Sequence, residues 1–464
     1  MKVTLLGASG GEVTGSAYLL QTKHASVLID CGLFQGARRL ENSNHIPQRG
    51  PLRQLNAVVL THAHLDHTGR LPLLTRMGYA GPIYATPATI DLTDLVLRDS
   101  ARLQAEDARR QNRRRVEAGK SPVEPLYTPR DVGQLLPLFR TMKYDRAAEV
   151  APGVTVRAVE SGHVLGSASL EITVEEDGRR KVLVFSGDLG PRNAPLHRDP
   201  TAFERADVVF MESTYGDRDH ASLQETAVAA REAVGAAFEQ GGRVLVPTFA
   251  IGRTQLLLYL LAGAFKRGTL RPCPIFIDSP MAIEATLLYR KHRELFDDEA
   301  LAMVHSGELS KNLRMVRPLP TAADSRSVAG RPGPYVVLAG AGMCTGGRIL
   351  HHLLNHISDP TTLVLMVGFQ SHGSLGRSIV DGADSVRIMG RTVPVRATTH
   401  TFSGLSGHAG QSDLMAWIER IAPSKPRVLL THGEDGPRRA LQTLIRERCG
   451  LTAELPGYRE TIEV

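Results

Sequence analysis

The segment from Val58 to Gly69 contains the side chains whose types and spacing best suit metal chemistry. A short apolar run, typical of a buried strand, precedes four polar side chains, which are His62, His64, Asp66 and His67. Imidazole and carboxylate groups select zinc or a neighbouring first-row metal, whereas calcium and magnesium sites consist mainly of oxygen ligands. These residues are too close in the chain for all of them to face one ion from a regular strand or helix. We therefore expect two adjacent ions, although a solvated histidine-rich turn is the alternative.

Three further candidate ligands occur in a similar setting later in the chain. Each comes within a few residues of an apolar, strand-like run and stands beside a glycine: His163, Asp188 and His432. Glycine next to a ligand permits a tight turn and a close approach of the backbone. The recurrence of a strand followed by a glycine-flanked ligand predicts that several strand ends meet around the metal ions.

These motifs resemble the metallo-β-lactamase superfamily, whose histidine motif matches positions 62 to 67 and whose later histidine and aspartate match His163 and Asp188. Asp30 resembles the first acidic motif of that family, which supports the histidine loop. The position of Asp30 agrees with this role, because a carboxylate at the end of a strand can accept the second N–H of a ligand histidine and fix its tautomer. The resemblance implies an α/β protein with an αββα sandwich.

By the same resemblance, two zinc ions, or manganese ions, share the ligands between them. One ion takes His62, His64, His163 and Asp188. The other takes Asp66, His67 and His432, together with the shared Asp188.

The stretch between Asp188 and His432 is long enough for a further domain. Its strand-like runs and helical patterns alternate, with strands predicted at 243–248, 274–277, 335–338 and 362–367 and helices near 222–239, 252–267, 281–294 and 347–354. This alternation predicts a parallel α/β sheet covered on both faces. We expect residues 1–213 and 403–464 to form the metallo-β-lactamase domain and residues 214–402 to form the inserted one.

Landmarks in this stretch resemble the β-CASP subfamily of nucleases: 211–216, 247–253, 342–348 and 402–408. By that resemblance, Glu212 is motif A, His408 is motif B and His432 is motif C, and a histidine in motif C favours RNA over DNA. The chain departs from the family pattern at His372, where an arginine is usual, and at Ala341, near which a serine is usual.

The resemblance implies a two-metal hydrolase that cleaves RNA endonucleolytically, with 5′-to-3′ exonuclease activity as a further option. Asp66, His408 and Glu212 are the expected catalytic residues, with His408 as the proton donor to the leaving sugar oxygen and Glu212 as its partner. A DNA-directed nuclease and a small-molecule hydrolase are the alternatives, but the latter would lack Glu212 and His408. A non-catalytic RNA-binding subunit would be expected to have lost metal ligands.

Composition agrees with a two-domain protein that has a phosphate-rich partner. A chain of 464 residues exceeds the usual size of a single core. The formal charge is +7, and 46 of the 55 basic residues are arginine, whose fork matches phosphate oxygens. A GC-rich genome is the alternative cause of this bias. By the family resemblance, single-stranded RNA is the expected partner. Its candidate contacts are Arg253, Arg348, Arg377 and Ser406.

The basic run at 98–115 predicts a long surface helix. Because Glu106, Asp107 and Glu117 are interleaved with its arginines, both a solvated face with internal salt bridges and a nucleic-acid contact are open interpretations.

The four cysteines lie far apart without a CxxC pair, which argues against structural disulfides. The first residues read as a strand, with no apolar signal segment and no membrane-spanning stretch. We therefore expect a cytoplasmic protein without a membrane partner. The sequence leaves the oligomeric state open, with a homodimer as one option.

Overall fold

The computed structural model describes residues 1–36, 42–45, 51–368, 370 and 373–464. These residues form two compact units. The first consists of residues 1–192, 199–219 and 408–464, and the second of residues 193–198 and 220–407.

The chain passes between the units a few residues beyond the expected boundaries at 213 and 403. In addition, the segment 193–198 belongs to the second unit. The Leu196 amide donates to the Asp297 carboxylate at 2.7 Å, and the Arg198 side chain donates to two backbone carbonyls of the second unit. Contacts of this kind attach a short segment to a unit without any signal in its own sequence.

The strands of the described residues are β1 (Lys2–Gly7), β2 (Ala17–Gln21), β3 (Ser26–Ile29), β4 (Ala57–Val59), β5 (Ile83–Ala85), β6 (Phe139–Thr141), β7 (Ala147–Ala151), β8 (Val154–Glu160), β9 (Ala168–Glu176), β10 (Arg179–Phe185), β11 (Val208–Glu212), β12 (Arg243–Pro247), β13 (Ile275–Asp278), β14 (Val316–Pro318), β15 (Tyr335–Ala339), β16 (Leu363–Met366), β17 (Ser385–Ile388), β18 (Arg391–Pro394), β19 (Thr398–Thr401), β20 (Arg427–Thr431), β21 (Ala453–Glu454) and β22 (Thr461–Glu463).

The α-helices of the same residues are α1 (Leu65–Thr68), α2 (Leu71–Arg76), α3 (Pro87–Glu117), α4 (Pro129–Leu135), α5 (Leu223–Glu239), α6 (Arg253–Lys266), α7 (Pro280–Lys291), α8 (Asp298–His305), α9 (Glu308–Asn312), α10 (Ala322–Ala329), α11 (Ile349–His356), α12 (Leu375–Val380), α13 (Gln411–Ile421) and α14 (Asp435–Cys449). Within the described ranges, no helix combines the length and the apolar character needed to cross a membrane.

The first unit is a sandwich of two seven-stranded sheets. One sheet has the order β22-β1-β2-β3-β4-β5-β6, and the other has the order β21-β20-β11-β10-β9-β8-β7. Side chains from both sheets, such as Leu20 and Phe185, share one buried core. The outer face of the first sheet is covered by α3 through Leu97, and that of the second by α13 and α14 through Ile418 and Ile445. This arrangement confirms the predicted αββα architecture.

Strand direction explains where the candidate ligands lie in the first unit. Strands β3, β4 and β5 are parallel to one another in one sheet, as are β10, β11 and β20 in the other. Parallel neighbours end at the same edge of a sheet, so the segments that follow them are brought together. The residues at or just after these strand ends are Asp30, His62, Asp188, Glu212 and His432.

The second unit contains a six-stranded sheet of order β14-β13-β15-β12-β16-β19, in which every pair is parallel. Helices α5, α6 and α7 contribute to the core on one face, and α10, α11 and α12 to the core on the other. The four predicted strands and four predicted helices of this stretch are confirmed. The prediction missed the edge strands β14 and β19 because they are short and mostly exposed.

Candidate metal centre

The histidine loop lies between β4 and the first turn of α1. His62 and His64 belong to the extended segment after β4, whereas Asp66 and His67 belong to α1. A Cβ atom on Gly32 would lie 1.5 Å from the Asp66 carbonyl oxygen, so only glycine lets the end of β3 pack against the loop. The Cys31 amide donates to the His67 carbonyl at 2.8 Å. The backbone therefore fixes the loop before any metal is considered.

Asp30 supports this loop from the end of β3. Its Oδ1 accepts the Thr61 amide at 2.8 Å, and its Oδ2 accepts the Thr61 hydroxyl at 2.7 Å. The same Oδ2 lies 2.7 Å from Nδ1 of His67. An ionised carboxylate accepts only, so Nδ1 of His67 carries the proton in this contact. The Nε2 atom of His67 is directed at Asp188, with 3.3 Å to its Oδ1.

The first cluster of candidate ligands contains His62, His64, His163 and Asp188, whose donor atoms all lie within 4.8 Å of one another. Oδ2 of Asp188 is 3.4 Å from Nε2 of His62 and 3.6 Å from Nε2 of His163. Nδ1 of His64 is 3.0 Å from Nε2 of His163. Gly187, with φ of 57°, turns the chain directly before Asp188, and a Cβ there would lie 2.9 Å from the Ala168 carbonyl oxygen.

The second cluster contains Asp66, His67 and His432. Nε2 of His432 is 3.5 Å from Oδ2 of Asp66 and 3.3 Å from Nε2 of His67. It is also 3.6 Å from Oδ1 of Asp188. The two oxygens of Asp188 therefore face different clusters.

The protonation states of three candidate ligands, His62, His64 and Asp188, suit metal ligation. Burial lowers the pKa of His62 well below its usual value and lowers the pKa of His64 to about 4. Burial by itself would raise the pKa of Asp188, but the neighbouring histidines, led by His432, outweigh it and lower that pKa well below its usual range. Neutral imidazoles and an ionised carboxylate are the forms that bind a metal ion. At His67, burial lowers the pKa, but the carboxylates of Asp188 and Asp30 outweigh burial and raise that pKa well above its usual value.

Two buried atoms of the centre indicate that a cation belongs there. Among the described residues, Nε2 of His62 and Oδ1 of Asp188 have no hydrogen-bond partner. Leaving a buried polar atom unpaired costs about 1–3 kcal/mol, so such atoms normally have a partner or bind an ion. Five imidazoles and two carboxylates form the two clusters. This donor set fits zinc or a neighbouring first-row metal.

His408 and Glu212 lie beside the clusters as a hydrogen-bonded pair. Nδ1 of His408 is 3.3 Å from Oε1 of Glu212 and 4.0 Å from Oδ2 of Asp188. The Glu212 carboxylate is fully buried and accepts the Leu189 amide at 2.7 Å and the Thr214 amide at 3.2 Å. Burial lowers the pKa of His408, but the neighbouring carboxylates, led by Glu212, outweigh burial and raise the pKa to about 9. The contact with Glu212 therefore favours the protonated form of His408.

Hydroxyl groups that sequence reasoning missed contact three of the imidazoles. Thr61 Oγ1 lies 3.1 Å from His62 Nδ1, and Thr214 Oγ1 lies 3.1 Å from His432 Nδ1. Ser16 Oγ lies 3.3 Å from His67 Nε2. Both threonines stand within two residues of a motif residue, which was a usable signal, whereas Ser16 had none.

The four expected RNA contacts, Arg253, Arg348, Arg377 and Ser406, belong to the second unit. Arg253 begins α6, and Arg377 on α12 pairs with Asp381 at 2.9 Å. The Arg348 guanidinium donates to Oδ1 of buried Asp278 at 2.8 Å and to two backbone carbonyls. Arg348 thus has a structural contact of its own. His372, where the family pattern differs, lies outside the described residues.

Comparison with known protein families identifies the family of this chain. Residues 10–247 match the metallo-beta-lactamase superfamily, residues 254–379 match the Beta-Casp domain, and residues 392–456 match the Zn-dependent metallo-hydrolase RNA specificity domain. The chain belongs to the metallo-β-lactamase superfamily and, within it, to the β-CASP branch.

Individual relatives agree with this assignment. Ribonuclease TTHA0252 of Thermus thermophilus is 39% identical over the full length of both chains. The transcription termination factor FttA of Methanosarcina mazei is 30% identical over 94% of this chain and 67% of its own length, and that of Cenarchaeum symbiosum is 30% identical over 100% and 71%. The fold is shared with a protein of unknown function from Enterococcus faecalis, with a TM-score of 0.55 at 15% identity over 100% of this chain and 99% of the other.

Proposed function

We propose that the protein is a two-zinc ribonuclease that hydrolyses phosphodiester bonds of single-stranded RNA. The observation that carries this proposal is the position of Asp188 between two ligand clusters, with the His408–Glu212 pair beside it. The full-length similarity to a protein named ribonuclease supports RNA as the substrate. The proposal covers endonucleolytic cleavage, and exonuclease activity from the 5′ end is tested by the same experiment.

Each cluster would hold one ion. His62, His64 and His163 would bind the first, Asp66, His67 and His432 the second, and Asp188 both. Bound divalent ions lower the pKa of water toward about 7 and polarise a phosphate oxygen. Zinc suits the imidazole-rich donor set, and manganese is the alternative metal because it accepts the same nitrogen and oxygen ligands.

The protein's own groups supply the orientation and the proton. Asp30 holds His67 with Nε2 toward the centre, so the ligand is aligned before binding. The Asp66 carboxylate faces Nε2 of His432 and contributes negative charge to the second cluster. His408 donates a proton to the sugar oxygen that leaves phosphorus, and Glu212 keeps its imidazole charged and in place.

Phosphates of the RNA would be bound by basic and hydroxyl groups of the second unit. Arg253 and Arg377 serve best as probes of this role. Arg348 is a poor probe, because its donors already bond to Asp278 and to carbonyls of its own unit, so its substitution would disturb folding first. Ser406 would contribute a neutral donor. If these contacts form, RNA affinity falls steeply with salt as phosphates displace counterions.

The test is incubation of the purified protein with end-labelled RNA and with DNA of the same sequence, each with and without a chelator. We expect cleavage of RNA only, its loss on chelation and its return with added zinc or manganese. Internal products identify endonuclease activity, and mononucleotides from the 5′ end identify exonuclease activity. His62→Ala is the inactive control, and His24→Ala, at an exposed site, is the matched active control. Equal cleavage of DNA, or full activity of His62→Ala, contradicts the proposal.

A cytoplasmic location and a homodimer complete the proposal. All four cysteines are free, and three of them are buried, as is usual for proteins of reducing compartments. Light scattering of the purified protein tests the proposed dimer. The measured mass should be twice the 50.4 kDa mass of one chain.

A further inference from the structure

Helix α3 has two halves of different character. Its start is fixed beside the His163 loop, because the hydroxyls of Thr86 and Thr89 donate to the Gly166 carbonyl at 2.7 and 2.8 Å. Its buried side chains end at Ala108, and none of the residues from Arg109 to Glu117 is buried. The second half of the helix therefore extends into solvent without a core of its own.

In the first half, the exposed arginines are neutralised within the helix. Arg98 pairs with Asp94 at 2.5 Å, and Arg102 pairs with Asp99 at 2.7 Å and with Glu106 at 3.0 Å. These pairs have the three- and four-residue spacing that stabilises a solvated helix face. For this half, the interpretation as a face with internal salt bridges is sufficient.

The second half has the opposite pattern. Residues 109–117 contain five basic side chains and one acidic one. Arg109 and Arg113 are one turn apart, as are Arg110 and Arg114, and like charges at this spacing destabilise a helix. Within the described part of the chain, no carboxylate lies within 4.0 Å of the Arg109, Arg113 or Arg114 guanidinium, whereas Arg110 pairs with Asp107 at 3.4 Å.

Local structure holds this arginine cluster in place. Asn112 forms two hydrogen bonds with the backbone of Val123, at 2.9 and 2.7 Å, and Arg115 donates to the Ser121 carbonyl at 2.7 Å. The loop after α3 thus covers one side of the helix end and leaves Arg109, Arg113 and Arg114 exposed. Interaction with the helix dipole is a competing reason for basic residues here, but it acts within the last turn and does not reach Arg109.

We propose that Arg109, Arg113 and Arg114, the tip cluster of α3, bind the phosphate backbone of RNA away from the cleavage centre. This inference rests on the proposed function for the nature of the polyanion. Arginine, rather than lysine, favours phosphate because its planar fork binds two oxygens at once. The 24 residue steps from Thr89 to Arg113 span about 36 Å of helix, so only a long RNA reaches both the His163 loop and the tip.

The experiment compares two double variants that remove equal charge from one helix. Arg109→Ala/Arg113→Ala changes the tip cluster, and Arg98→Ala/Arg102→Ala is the matched control at the same four-residue spacing. Affinity for RNAs of about 5 and about 30 nucleotides is measured in chelator across a range of salt. Thermal unfolding and hydrolysis of bis(nitrophenyl) phosphate, measured in parallel with metal restored, verify that the centre is intact.

We expect the tip variant to bind the long RNA about tenfold more weakly at 0.1 M salt and to lower the salt slope by about 1.4, which corresponds to two phosphate contacts at about 0.7 each. The short RNA and the control variant should show no such change. Equal affinity of wild type and tip variant at every salt concentration overturns the proposal. Equally tight binding of polyglutamate, lost in the same variant, also overturns it and indicates an acidic protein partner instead.

The result of this binding experiment can be distinguished from the result of the cleavage experiment that tests the proposed function. Binding in chelator does not depend on cleavage, so a protein that fails to cut RNA yet loses long-RNA affinity in the tip variant retains the binding surface and refutes only the catalytic assignment.

Discussion

The Glu212 carboxylate lies 3.3 Å from the His408 imidazole and also accepts the amide of Leu189, the residue that follows Asp188. One buried side chain therefore orients the expected proton donor and fixes the loop of the expected bridging ligand. Thr214, whose amide donates to the other Glu212 oxygen, extends this connection to His432 through its hydroxyl. The expected proton donor, the expected bridging carboxylate and a candidate ligand of the second cluster are thus held by a single network.

His408→Ala should separate proton transfer from metal binding. We expect RNA cleavage to slow by about 10²- to 10⁴-fold, because the leaving sugar oxygen then departs without a positioned acid. Bis(nitrophenyl) phosphate should be affected far less, since nitrophenolate leaves without a proton. Steady-state rates on both substrates and metal analysis check this. Equal damage to both substrates, or loss of a metal ion, would assign His408 a structural or ligating role.

Asp30→Asn should weaken metal binding without removing a ligand. The Asp30 carboxylate accepts hydrogen bonds from three donors, which are the Thr61 amide, the Thr61 hydroxyl and His67. In Asn, an N–H₂ group replaces one of the two acceptor oxygens, and that group cannot accept these hydrogen bonds. We expect metal affinity to fall by about 10- to 100-fold. Competition with a chelator measures the change. Asp145→Asn is the matched control, because Asp145 shares the positive φ, 60° against 56°, but is exposed. Unchanged affinity of Asp30→Asn would disprove the supporting role.

Substitutions at the ligands should distinguish the two clusters. The native protein should contain about two equivalents of metal, and His432→Ala about one, because His432 belongs to the second cluster only. Asp188→Asn should lower the metal content of both clusters, since each oxygen of Asp188 faces a different cluster. Metal analysis after dialysis gives the counts. A native protein that never exceeds one equivalent would refute the dinuclear assignment.

Local sequence and tertiary structure contributed differently to what could be predicted. The histidine loop, Asp188 and Glu212 stand at the ends of apolar runs, and the parallel order of those strands brings such ends together. The contact of Ser16 with His67, 51 residues away, depends on the pairing of strands and leaves no local trace. Arg348 shows the same limit. Its sequence setting suggested a phosphate contact, whereas its partner Asp278 is 70 residues distant.

A buried ionic network stabilises the second unit around Asp278, at the end of β13. Its Oδ1 accepts Arg348 at 2.8 Å, and its Oδ2 contacts His352 at 2.6 Å and accepts the Ser325 hydroxyl at 2.5 Å. Burial by itself would raise the pKa of Asp278, but the hydrogen bonds from His352, Ser325 and Arg348 outweigh burial and lower it. The charged carboxylate is therefore the form that the folded protein prefers.

Asp278→Asn should destabilise the second unit in a pH-dependent way. Breaking a buried pair by removing one charge costs about 3–5 kcal/mol, which for a unit of this size lowers the melting temperature by roughly 6–20 °C at pH 7. Because the folded-state pKa is lowered, this stabilisation is present above the unfolded pKa of about 3.9 and is lost as the pH falls through the folded value. The difference between wild type and variant should therefore shrink below about pH 4. Calorimetry from pH 7 downward measures this difference in melting temperature.

Asp381→Asn, which breaks the exposed pair with Arg377, is the control and should cost at most about 1 kcal/mol. A difference that stays constant with pH would show that Asp278 acts through shape and not through charge.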